Sequence, residues 1–528
     1  MGASPPREFE LKLNGSVGDL RDLERRVRRR FGGTGEWAES TLISAYFDTR
    51  DQRLRKRAVS LRVRRTGRKY VQTVKAEQGH RGVALDRLEW EQEVGRFSPD
   101  LKALPTDARQ RLGLVLPSEL RRVFTVDVQR RKVLLNLAGD PHSEDLAVEL
   151  VIDRGKVTAA GKTEVIAEAE LELVSGPPGR LLQLAAELRA DTGLRVGRQT
   201  KSSRGYRLVN GADPCRPVYA SRFLLSADMT VSEAIEEILR HCLANVVGNE
   251  GAAVSDADPE GVHQMRIALR RIRSALSVFK KYLSPKKVHW LNQETKWLAT
   301  SLGHARDWDV FIAEVLGAVE GYGIDFDCLT AMSKEVNIRH RAAYKSVGEA
   351  IGSDRYTAFI LGLATFIETR AWLADDPSAR KRLDQPLGSV VGKLLDRLHR
   401  KLMAEGANLS EQGITARHTV RIRLKRFCYA SDFFEGLYPR GRVRPLLKAM
   451  KALQDGFGCL NDVAVAVDLI GELTAAKGKT AATRRRLERA AGQVAAWHAR
   501  GLSDGEAQFL ADWDTFAAIR PFWCKGLD

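Results

Sequence analysis

The sequence predicts an α+β domain followed by an all-α domain, and two hydrophobic periodicities lead to that prediction. From Arg7 to about Leu208, apolar and polar residues alternate with period two in several separate runs, which is the pattern of half-buried strands. Helical spacing interrupts the strands at about 17–31 and 178–192, so we expect a largely antiparallel sheet. Beyond residue 214, apolar residues recur three and four positions apart to the end of the chain, as in amphipathic helices.

This change of period divides the chain into a first domain at 1–210, a linker at 211–220 and a helical domain at 221–528.

The formal charge of +18 predicts polyanionic partners such as nucleic acid, acidic lipid or phosphate chains. Six cysteines without a C-x-x-C pair favour a reducing cytoplasm. The longest uncharged apolar stretch, 356–367, is too short to span a bilayer, so we expect no membrane insertion.

The strand faces of the first domain carry both signs of charge. Residues i, i+2 and i+4 of a strand share one face, so Glu8, Glu10 and Lys12 project together. The same spacing groups Arg62 with Arg64, Thr73 with Lys75, Glu149 with Asp153, and Glu168 with Glu170 and Glu172. One such set is typical of a solvated strand. If a curved sheet directs all of them inward, they form a charged lumen that is stable only when its charges are paired or bind a ligand.

A lumen with separate carboxylate and Arg/Lys clusters suits a linear polyphosphate that arrives with a divalent cation. Arginine forks hold phosphate oxygens in bidentate fashion, and carboxylates hold hard ions such as Mg²⁺ or Mn²⁺. The sequence contains neither a P-loop nor a kinase signature. Any phosphoryl chemistry would therefore depend on charge and positioning rather than on a covalent intermediate.

The run Glu8-Phe9-Glu10-Leu11-Lys12 resembles the E-x-E-x-K signature of the CYTH superfamily of triphosphate tunnel metalloenzymes, and the likeness continues in order to about residue 208. The further motifs are Tyr46-Phe47-Asp48-Thr49, Leu61-Arg62-Val63-Arg64, Thr73-Val74-Lys75, Arg87-x-Glu89, Arg130, Glu149-x-x-x-Asp153, Glu168-x-Glu170-x-Glu172 and Lys201-Ser202-x-x-Gly205-Tyr206. The resemblance implies an antiparallel β-barrel whose tunnel binds a triphosphate and Mg²⁺ or Mn²⁺. It implies metal ligation by Glu8, Glu10, Glu170 and Glu172, with Asp153 holding a second ion or positioning water. It further implies phosphate binding by Arg62, Arg64, Lys75, Arg130 and Lys201, while Lys12 neutralises charge or orients the attacking water.

Family members include inorganic triphosphatases, thiamine triphosphatases and class IV adenylyl cyclases, so the substrate depends on the tunnel ends. The polar run at 78–83 offers no aromatic residue to stack on a thiazole or adenine ring. Trp37 and Trp90 are better explained as strand core residues. Inorganic tripolyphosphate is therefore the expected substrate, and an organic triphosphate stays an alternative.

The second half contains an internal repeat with an offset of 155 residues. The first copy reads His263-x-x-Arg266-x-x-x-Arg270-Arg271 and then Leu302-Gly303-x-x-Arg306-Asp307. The second reads His418-x-x-Arg421-x-x-x-Lys425-Arg426 and then Phe457-Gly458-x-x-Asn461-Asp462. The same offset pairs Phe279 with Phe434.

Each copy places a basic stripe on one helix face. The first stripe contains His263, Arg266, Arg270 and Arg273 with Arg271 beside it, and the second contains His418, Arg421 and Lys425 with Arg426 beside it. Eight basic residues and no acidic one lie between Glu260 and Glu294, and five and none lie between Glu411 and Asp432. Like charges on one helix repel, so a multiply anionic counter-ion best explains both stripes. Few aromatic residues are interleaved with them, which disfavours nucleic acid.

These repeats resemble the hallmark of the CHAD domain, over about 219 to 520. The resemblance implies two four-helix bundles, at about 221–375 and 376–528, related by pseudo-twofold symmetry. It also implies that the basic faces meet at a channel that binds long-chain inorganic polyphosphate. The second copy departs from the first at Lys425, Asn461 and Ala464. The roles of His263 and His418 and the oligomeric state stay open.

The resulting expectation is a cytoplasmic, metal-dependent inorganic triphosphatase whose helical domain binds polyphosphate, with polyphosphate granules as a further expected location. The rival from another class is a non-catalytic polyphosphate-binding or targeting adaptor.

Overall fold

The computed structural model describes residues 7–32, 36–139, 144–211, 215–255, 258–317, 325–373, 377–475 and 480–524. The side chains at 78–81 and 459–464, which include Asn461, Asp462 and Ala464 of the repeat, lie outside the described residues. The chain forms two compact units. Unit 1 comprises Met1–Pro214 with Ser353–Ala371, and unit 2 comprises Cys215–Gly352 with Trp372–Asp528.

Unit 1 is built on a single antiparallel sheet. Its strands are β1 (Arg7–Asn14), β2 (Ala38–Asp48), β3 (Val59–Thr66), β4 (Lys69–Arg81), β5 (Ala84–Val94), β6 (Arg121–Leu137), β7 (Leu146–Ala159), β8 (Lys162–Ser175) and β9 (Arg195–Gly197). The strand order is β5-β4-β3-β2-β6-β7-β8-β1-β9, and β1 also pairs with β5. That last pairing closes strands β1 to β8 into a barrel, and β9 extends the sheet beside β1. The expected antiparallel barrel is confirmed.

Short helices cover the barrel of unit 1. They are α1 (Val17–Phe31), α2 (Arg53–Lys56), α3 (Thr106–Leu112), α4 (Pro178–Arg189) and α5 (Lys201–Asn210). Helix α1 begins at a capping box formed by Ser16 and Asp19. Helix α5 packs against β6, β7 and β8, and its Tyr206 joins an apolar cluster with Tyr46 and Phe124. Because this cluster occupies part of the barrel interior, charged side chains are left to line the remainder.

Unit 2 is all helical, as expected. Its helices are α6 (Val231–Gly248), α7 (Glu250–Ser255), α8 (Glu260–Val278), α9 (Pro285–Ser301), α10 (Gly303–Val310), α11 (Phe326–Ile351), α13 (Pro377–Leu383), α14 (Leu387–Glu405), α15 (Ile414–Phe434), α16 (Arg440–Thr474) and α17 (Ala481–Ala518). A short π-helix, Phe311–Leu316, follows α10. In the described part of the chain, no helix combines the length and apolar character needed to cross a membrane.

The two repeats of unit 2 meet through equivalent residues. Helix α8 of the first copy packs against α15 of the second. The rings of Phe279 and Phe434, which the repeat offset relates, contact each other edge to face at 6.0 Å between centroids. Both phenylalanines are fully buried. A twofold axis brings equivalent residues into contact with each other, so this contact is what an approximate twofold axis near these rings would produce.

One helix of the second half belongs to unit 1. Helix α12 (Asp354–Glu368) packs against α4, and Asp354 forms an ion pair with the buried Arg189. An added Cβ at Gly179 of α4 would lie 2.5 Å from Thr369, so the two segments approach closely. The chain therefore enters unit 1 twice, once at its start and once between the two repeats.

A glycine in β7 allows the backbones of β6 and β7 to approach closely. A Cβ on Gly155 would lie 2.0 Å from the carbonyl oxygen of Asp127 on β6, so Gly155→Ala must displace the β6 backbone. We expect this variant to lose about 2–3 kcal/mol of unfolding free energy, measured by thermal and denaturant unfolding. Gly95→Ala is the matched control, because no heavy atom lies within 4 Å of its Cβ position. Equal stability of both variants would contradict the close approach.

Candidate functional site

The barrel encloses a cavity of about 750 Å³ that we call the tunnel. Charged side chains from the barrel strands and from α5 line most of it. They include Glu8, Glu10, Lys12, Arg62, Arg64, Lys75, Arg87, Glu89, Arg130, Glu170, Glu172 and Lys201. The period-two alternation of the strands places these side chains inside, because alternate residues of a strand face the same side. The tunnel thus brings together nearly every site residue expected from the first domain.

A buried ionic network joins residues of the tunnel lining to Asp153 and Glu168, which are not themselves part of the lining. Lys201 Nζ lies 2.7 Å from Asp153, 2.6 Å from Glu168 and 2.8 Å from Glu170. Arg130 binds Asp153 in bidentate fashion at 2.8 and 2.6 Å. Lys12 contacts Glu170 and lies 3.5 Å from Glu168. Asp153 and Glu168 are completely buried, so their charges are compensated by neighbouring side chains rather than by water.

A second set of ion pairs lies beside this network. Lys75 Nζ donates to both oxygens of Glu8 at 2.9 and 2.8 Å and lies 3.0 Å from Glu89. Arg87 lies 3.2 Å from Glu8 and also pairs with Glu10. The two signs of charge alternate through this part of the tunnel. A ligand that enters must therefore exchange charge partners with the protein.

Arg62 and Arg64 differ from the other tunnel cations, because they lack tight carboxylate partners. Arg62 Nη2 lies 3.7 Å from Glu89 and 3.8 Å from Glu91, and its side chain hydrogen-bonds to the Tyr46 hydroxyl. For Arg64, no carboxylate oxygen of the described residues lies within ion-pair distance. Burial and the neighbouring charges of Arg62 and Arg130 lower the pKa of Arg64 to about 10. This pair of guanidinium groups is the part of the tunnel best suited to bind an added anion.

The network fixes the protonation of its members. Burial alone would lower the pKa of Lys12, but the charges of Glu10, Glu170 and Glu168 outweigh burial and raise it. Burial alone would raise the pKa of Glu170, yet Lys12, Lys201 and Arg130 hold it well below the usual range. Lys12 is therefore an ammonium at neutral pH in this network, which fits charge neutralisation.

The donor set fits a hard divalent cation. Oxygens of Asp153, Glu168 and Glu170 lie within 4.8 Å of one another, and Mg²⁺ and Mn²⁺ prefer such oxygen ligands. Burial and the charges of Glu8 and Glu10 raise the pKa of Glu172 to about 7, which shows carboxylates crowded together without enough positive charge. A metal ion would supply that charge. The group of Asp153, Glu168 and Glu170 is thus compatible with metal binding. Of the four predicted metal ligands it contains Glu170, and among the described residues Glu8, Glu10 and Glu172 do not form a second group of this kind.

The site also includes residues that the sequence analysis did not assign, of which Arg87 lines the tunnel and Glu168 and Arg204 contact its ionic network. Glu168 belongs to the carboxylate cluster, Arg87 bridges Glu8 and Glu10, and Arg204 Nη2 lies 3.2 Å from Glu168. The period-two runs at 168–172 and 87–89 place Glu168 and Arg87 on the same strand faces as other site residues, so the sequence pattern could have identified both. Arg204 lies on helix α5, where no strand pattern could indicate it.

The two tryptophans considered as stacking partners for a nucleobase or thiazole lie elsewhere. The aromatic residues of the tunnel lining are Tyr46, which stacks on Phe124, and Tyr206, which contacts Phe124 edge to face and lies under the Arg55 guanidinium. Trp37 contacts the guanidinium groups of Arg28 and Arg131 at 5.9 and 5.1 Å. Trp90 is buried in the apolar core beneath α3, and its Nε1 donates to Asp107 at 2.8 Å. Neither tryptophan lines the tunnel.

Unit 2 contains a cavity of about 830 Å³ that we call the basic cavity. Its cationic lining comprises Arg266, Arg270, Arg273, Lys280, Arg421, Lys425 and Arg426. Helices α8 and α15 supply most of these groups, since they cross near the approximate twofold axis. Asp307 is the acidic residue among the described lining. The two predicted stripes therefore meet in one positively charged cavity.

Electrostatic strain is highest at the first stripe. Burial and the charge of Arg270 lower the pKa of Arg266 to about 10, while Arg266 donates to the carbonyl oxygen of Ala299 at 2.7 Å. Arg270 hydrogen-bonds to Tyr429 of the second copy. Anions bound here would relieve the repulsion between these guanidinium groups.

Three residues of the predicted stripes do not line the basic cavity: His263, Arg271 and His418. Burial and the charge of Arg306 lower the pKa of His263 to about 4, so its ring is neutral at physiological pH. Arg271 lies over the Phe223 ring at 5.4 Å and 3.7 Å from Asp432. Arg271 thus has structural contacts, and His418 is exposed.

A closed antiparallel barrel with paired carboxylate and cation clusters in its lumen defines the class of triphosphate tunnel proteins. The family model of the CYTH domain matches residues 6–206, and that of the CHAD domain matches residues 237–471. The chain therefore carries a CYTH domain followed by a CHAD domain.

Among curated proteins, an uncharacterized protein of Mycobacterium tuberculosis is 30% identical over 174 residues, in each of two strains. The match covers 33% of this chain and 29% of the relative. The chain thus spans less than a third of the length of the curated relatives it matches.

Among solved structures, the CHAD domain from the plant Ricinus communis is 30% identical, covering 58% of this chain and 98% of that one, with a TM-score of 0.49. PptA from Streptomyces chartreusis is 15% identical, covering 54% and 100%, with a TM-score of 0.39. A putative adenylyl cyclase from Hippeastrum, described as having a dominant triphosphatase activity, is 14% identical, covering 38% and 96%, with a TM-score of 0.28. These TM-scores lie below 0.5, and the assignment rests on the family models.

The buried network makes a stability prediction. Asp153→Asn leaves Arg130 and Lys201 without their shared carboxylate, so we expect a loss of about 3–5 kcal/mol in unfolding free energy at neutral pH. Glu149→Gln is the control, because the Glu149–Lys132 pair is partly exposed and should contribute less than about 1 kcal/mol.

The difference in stability between wild type and Asp153→Asn should depend on pH. The folded-state pKa values of Asp153 and Glu170 are lowered, so their stabilisation is complete above the unfolded pKa of about 4 and is lost as the pH falls through the folded values. The stability gap between wild type and Asp153→Asn should therefore narrow below about pH 4. Thermal unfolding across pH measures it, and a constant gap would contradict the network.

Proposed function

We propose that the protein is a metal-dependent inorganic triphosphatase that hydrolyses tripolyphosphate to diphosphate and phosphate in the tunnel. The observation that supports this most is that the loosely paired Arg62 and Arg64 lie in the same site as the carboxylate group of Asp153, Glu168 and Glu170. Such a site offers positive charge to phosphate oxygens and negative charge to a cation within one cavity.

The cationic residues of the tunnel would bind the substrate at different stages. Arg62 and Arg64 would hold phosphate oxygens first, because they need not leave a tight carboxylate partner. Lys75, Arg130 and Lys201 would turn from their carboxylates toward phosphate when a cation takes their place. Lys12 would keep the negative charge around Glu10 and Glu170 in balance throughout.

The proposed metal ligands are Glu8, Glu10, Asp153, Glu170 and Glu172, to which the cluster adds Glu168. A bound Mg²⁺ or Mn²⁺ supplies Lewis-acid stabilisation of charge on the phosphoryl oxygens and promotes attack by water. The protein's own cations would stabilise charge on the leaving diphosphate. The described lining has no tryptophan, and its two tyrosines are already engaged, Tyr46 with Phe124 and Tyr206 with Phe124 and Arg55. Inorganic tripolyphosphate is therefore favoured over ATP and thiamine triphosphate.

For unit 2, we propose binding of long-chain inorganic polyphosphate in the basic cavity. Seven cationic side chains converge there from both repeats, and the depressed pKa of Arg266 indicates positive charge in excess of its local partners. If the tunnel bound phosphate without hydrolysing it, the protein would be a polyphosphate-binding adaptor. Phosphate release with and without Mg²⁺ separates the two functions.

Removing a tunnel charge should stop the reaction. We expect Lys75→Ala and Glu10→Ala each to lower kcat for tripolyphosphate by at least about 100-fold, with circular dichroism unchanged. Lys69→Ala is the matched control, because this lysine lies on the same strand with 74% of its side chain exposed. Phosphate release at saturating Mg²⁺ is the measurement, and undiminished turnover in both tunnel variants would rule out the tunnel as the active site.

Polyphosphate binding should depend on both repeats. We expect Arg266→Ala with Arg421→Ala to weaken binding of long-chain polyphosphate by at least about tenfold, and to reduce the slope of log Kd against log salt by about 1–2. The charge-matched control is Arg484→Ala with Arg485→Ala, two exposed arginines of α17. Calorimetric titration at several salt concentrations measures both. Equal weakening by the two double variants would assign the effect to net charge alone.

A further inference from the structure

Arg55 lines the tunnel, although it lies on the short helix α2 rather than on a barrel strand. Its guanidinium donates to Gln52 Oε1 at 3.0 Å and lies over the Tyr206 ring at 5.4 Å. A cation held over an aromatic face and by a side-chain acceptor has few orientations open to it. These two contacts therefore fix the direction in which a positive charge is presented at the tunnel wall.

The backbone around Arg55 adopts an unusual conformation. Gln52 and Ala58, which lie before and after α2, have φ values of 56° and 55°, in the left-handed region that residues with a side chain seldom adopt. The completely buried Asp48 stabilises this segment, since it accepts the backbone N–H of Arg55 at 3.1 Å and the Tyr206 hydroxyl at 2.7 Å. Such non-glycine residues concentrate at ligand-binding sites, so this segment is a candidate for substrate contact.

Arg55 extends the row of cations that Arg62 and Arg64 begin. Alternate residues of β3 face the tunnel, so Ser60, Arg62 and Arg64 follow one another at roughly 6.6 Å along one wall. Helix α2 precedes β3, which starts at Val59, and Arg55 therefore lies toward the Ser60 end of the row. A diphosphate has enough phosphates for Arg62 and Arg64, whereas a third phosphate would extend along the wall toward Arg55.

Helix α5 adds neutral donors to the tunnel lining. Thr200, Ser202 and Ser203 all line the tunnel, and the Thr200 hydroxyl accepts the backbone N–H of Ser203 at 3.0 Å, which begins the helix. Serine hydroxyls can donate to phosphate oxygens without adding charge. Ser202 and Ser203 lie about one helical turn before Tyr206, so the helix that orients Arg55 also offers hydroxyl groups to the same ligand.

We propose that Arg55 is a specificity-determining residue of the tunnel, which holds one terminal phosphate of a triphosphate and thereby distinguishes it from a diphosphate. This rests on the proposed triphosphatase function. Arg62 and Arg64 bind both ligands, and only the longer one gains the contact with Arg55. A charge-assisted contact of this kind changes affinity by about tenfold to a hundredfold. The diphosphate product, which lacks that contact, is therefore displaced by new substrate.

The test follows phosphate release from tripolyphosphate by the full-length protein with Mg²⁺. We expect Arg55→Gln to raise KM at least about tenfold and to change kcat less than about twofold, because binding is lost equally in the ground and transition states. The Ki of diphosphate as a competitive inhibitor should stay the same. Arg55→Lys keeps the charge and should recover most of the affinity. Arg53→Gln is the matched control, since Arg53 lies on the same helix and donates to the Leu114 carbonyl oxygen at 3.1 Å.

Three results would overturn the proposal. The first is an unchanged KM for tripolyphosphate in Arg55→Gln. The second is an equal rise in the Ki of diphosphate, because Arg55 would then not distinguish the two ligands. The third is a fall in kcat with a lower melting temperature that Arg55→Lys does not restore, which would give Arg55 a structural role.

Failure of the triphosphatase proposal has a separate signature, namely wild-type protein that releases no phosphate from tripolyphosphate with Mg²⁺ or Mn²⁺. The same variants are then compared by the Kd values of tripolyphosphate and diphosphate from calorimetric titration. A selective loss of tripolyphosphate affinity in Arg55→Gln would support the role of Arg55 in binding, and equal Kd values in wild type and variant would overturn it.

Discussion

The buried ionic network of Lys12, Arg130 and Lys201 with Asp153, Glu168 and Glu170 is the interaction on which the barrel interior depends. Moving so many charges out of water is unfavourable unless each finds close partners, and the distances show that each does. An apolar core would have filled this barrel more simply. Retaining paired charges leaves a lumen whose cations and anions can exchange partners with an ionic ligand, which connects the architecture of the barrel to its proposed chemistry.

In the helical unit, in contrast to the barrel, the cations of the basic cavity are not interleaved with carboxylates in the described lining. Its basic cavity gathers cations from two helices. Two of its arginines contact neutral groups, Arg266 the Ala299 carbonyl oxygen and Arg270 the Tyr429 side chain. The buried rings of Phe279 and Phe434 hold the two helices together near the approximate twofold axis. Apolar packing therefore stabilises a charge distribution that is unfavourable by itself, and a bound polyanion would relieve it.

Local sequence patterns predicted the strands, the helices and most of the charged site residues. The features that depend on pairing between distant parts of the chain could not be predicted. The period-two pattern predicted that Glu8, Glu10 and Lys12 share one strand face. The repeat offset identified Phe279 and Phe434 as equivalent residues, and the structure shows that their rings are in contact. The closure of β1 on β5 has no local signature, since it depends on sheet curvature. The packing of α12 against α4 could not be predicted either, because the apolar face of a helix does not indicate which element it packs against. Asp432 lies near Arg271 although the first stripe has no acid within its own sequence.

The central claim is that the tunnel binds a triphosphate and a divalent cation together. A crystal structure of the protein with tripolyphosphate and Mn²⁺ tests it most directly, since the anomalous signal of manganese locates the ion. The account predicts phosphate oxygens within hydrogen-bond distance of Arg62 and Arg64, and manganese among the tunnel carboxylates. Tripolyphosphate bound outside the barrel, or manganese bound away from those carboxylates, would contradict it.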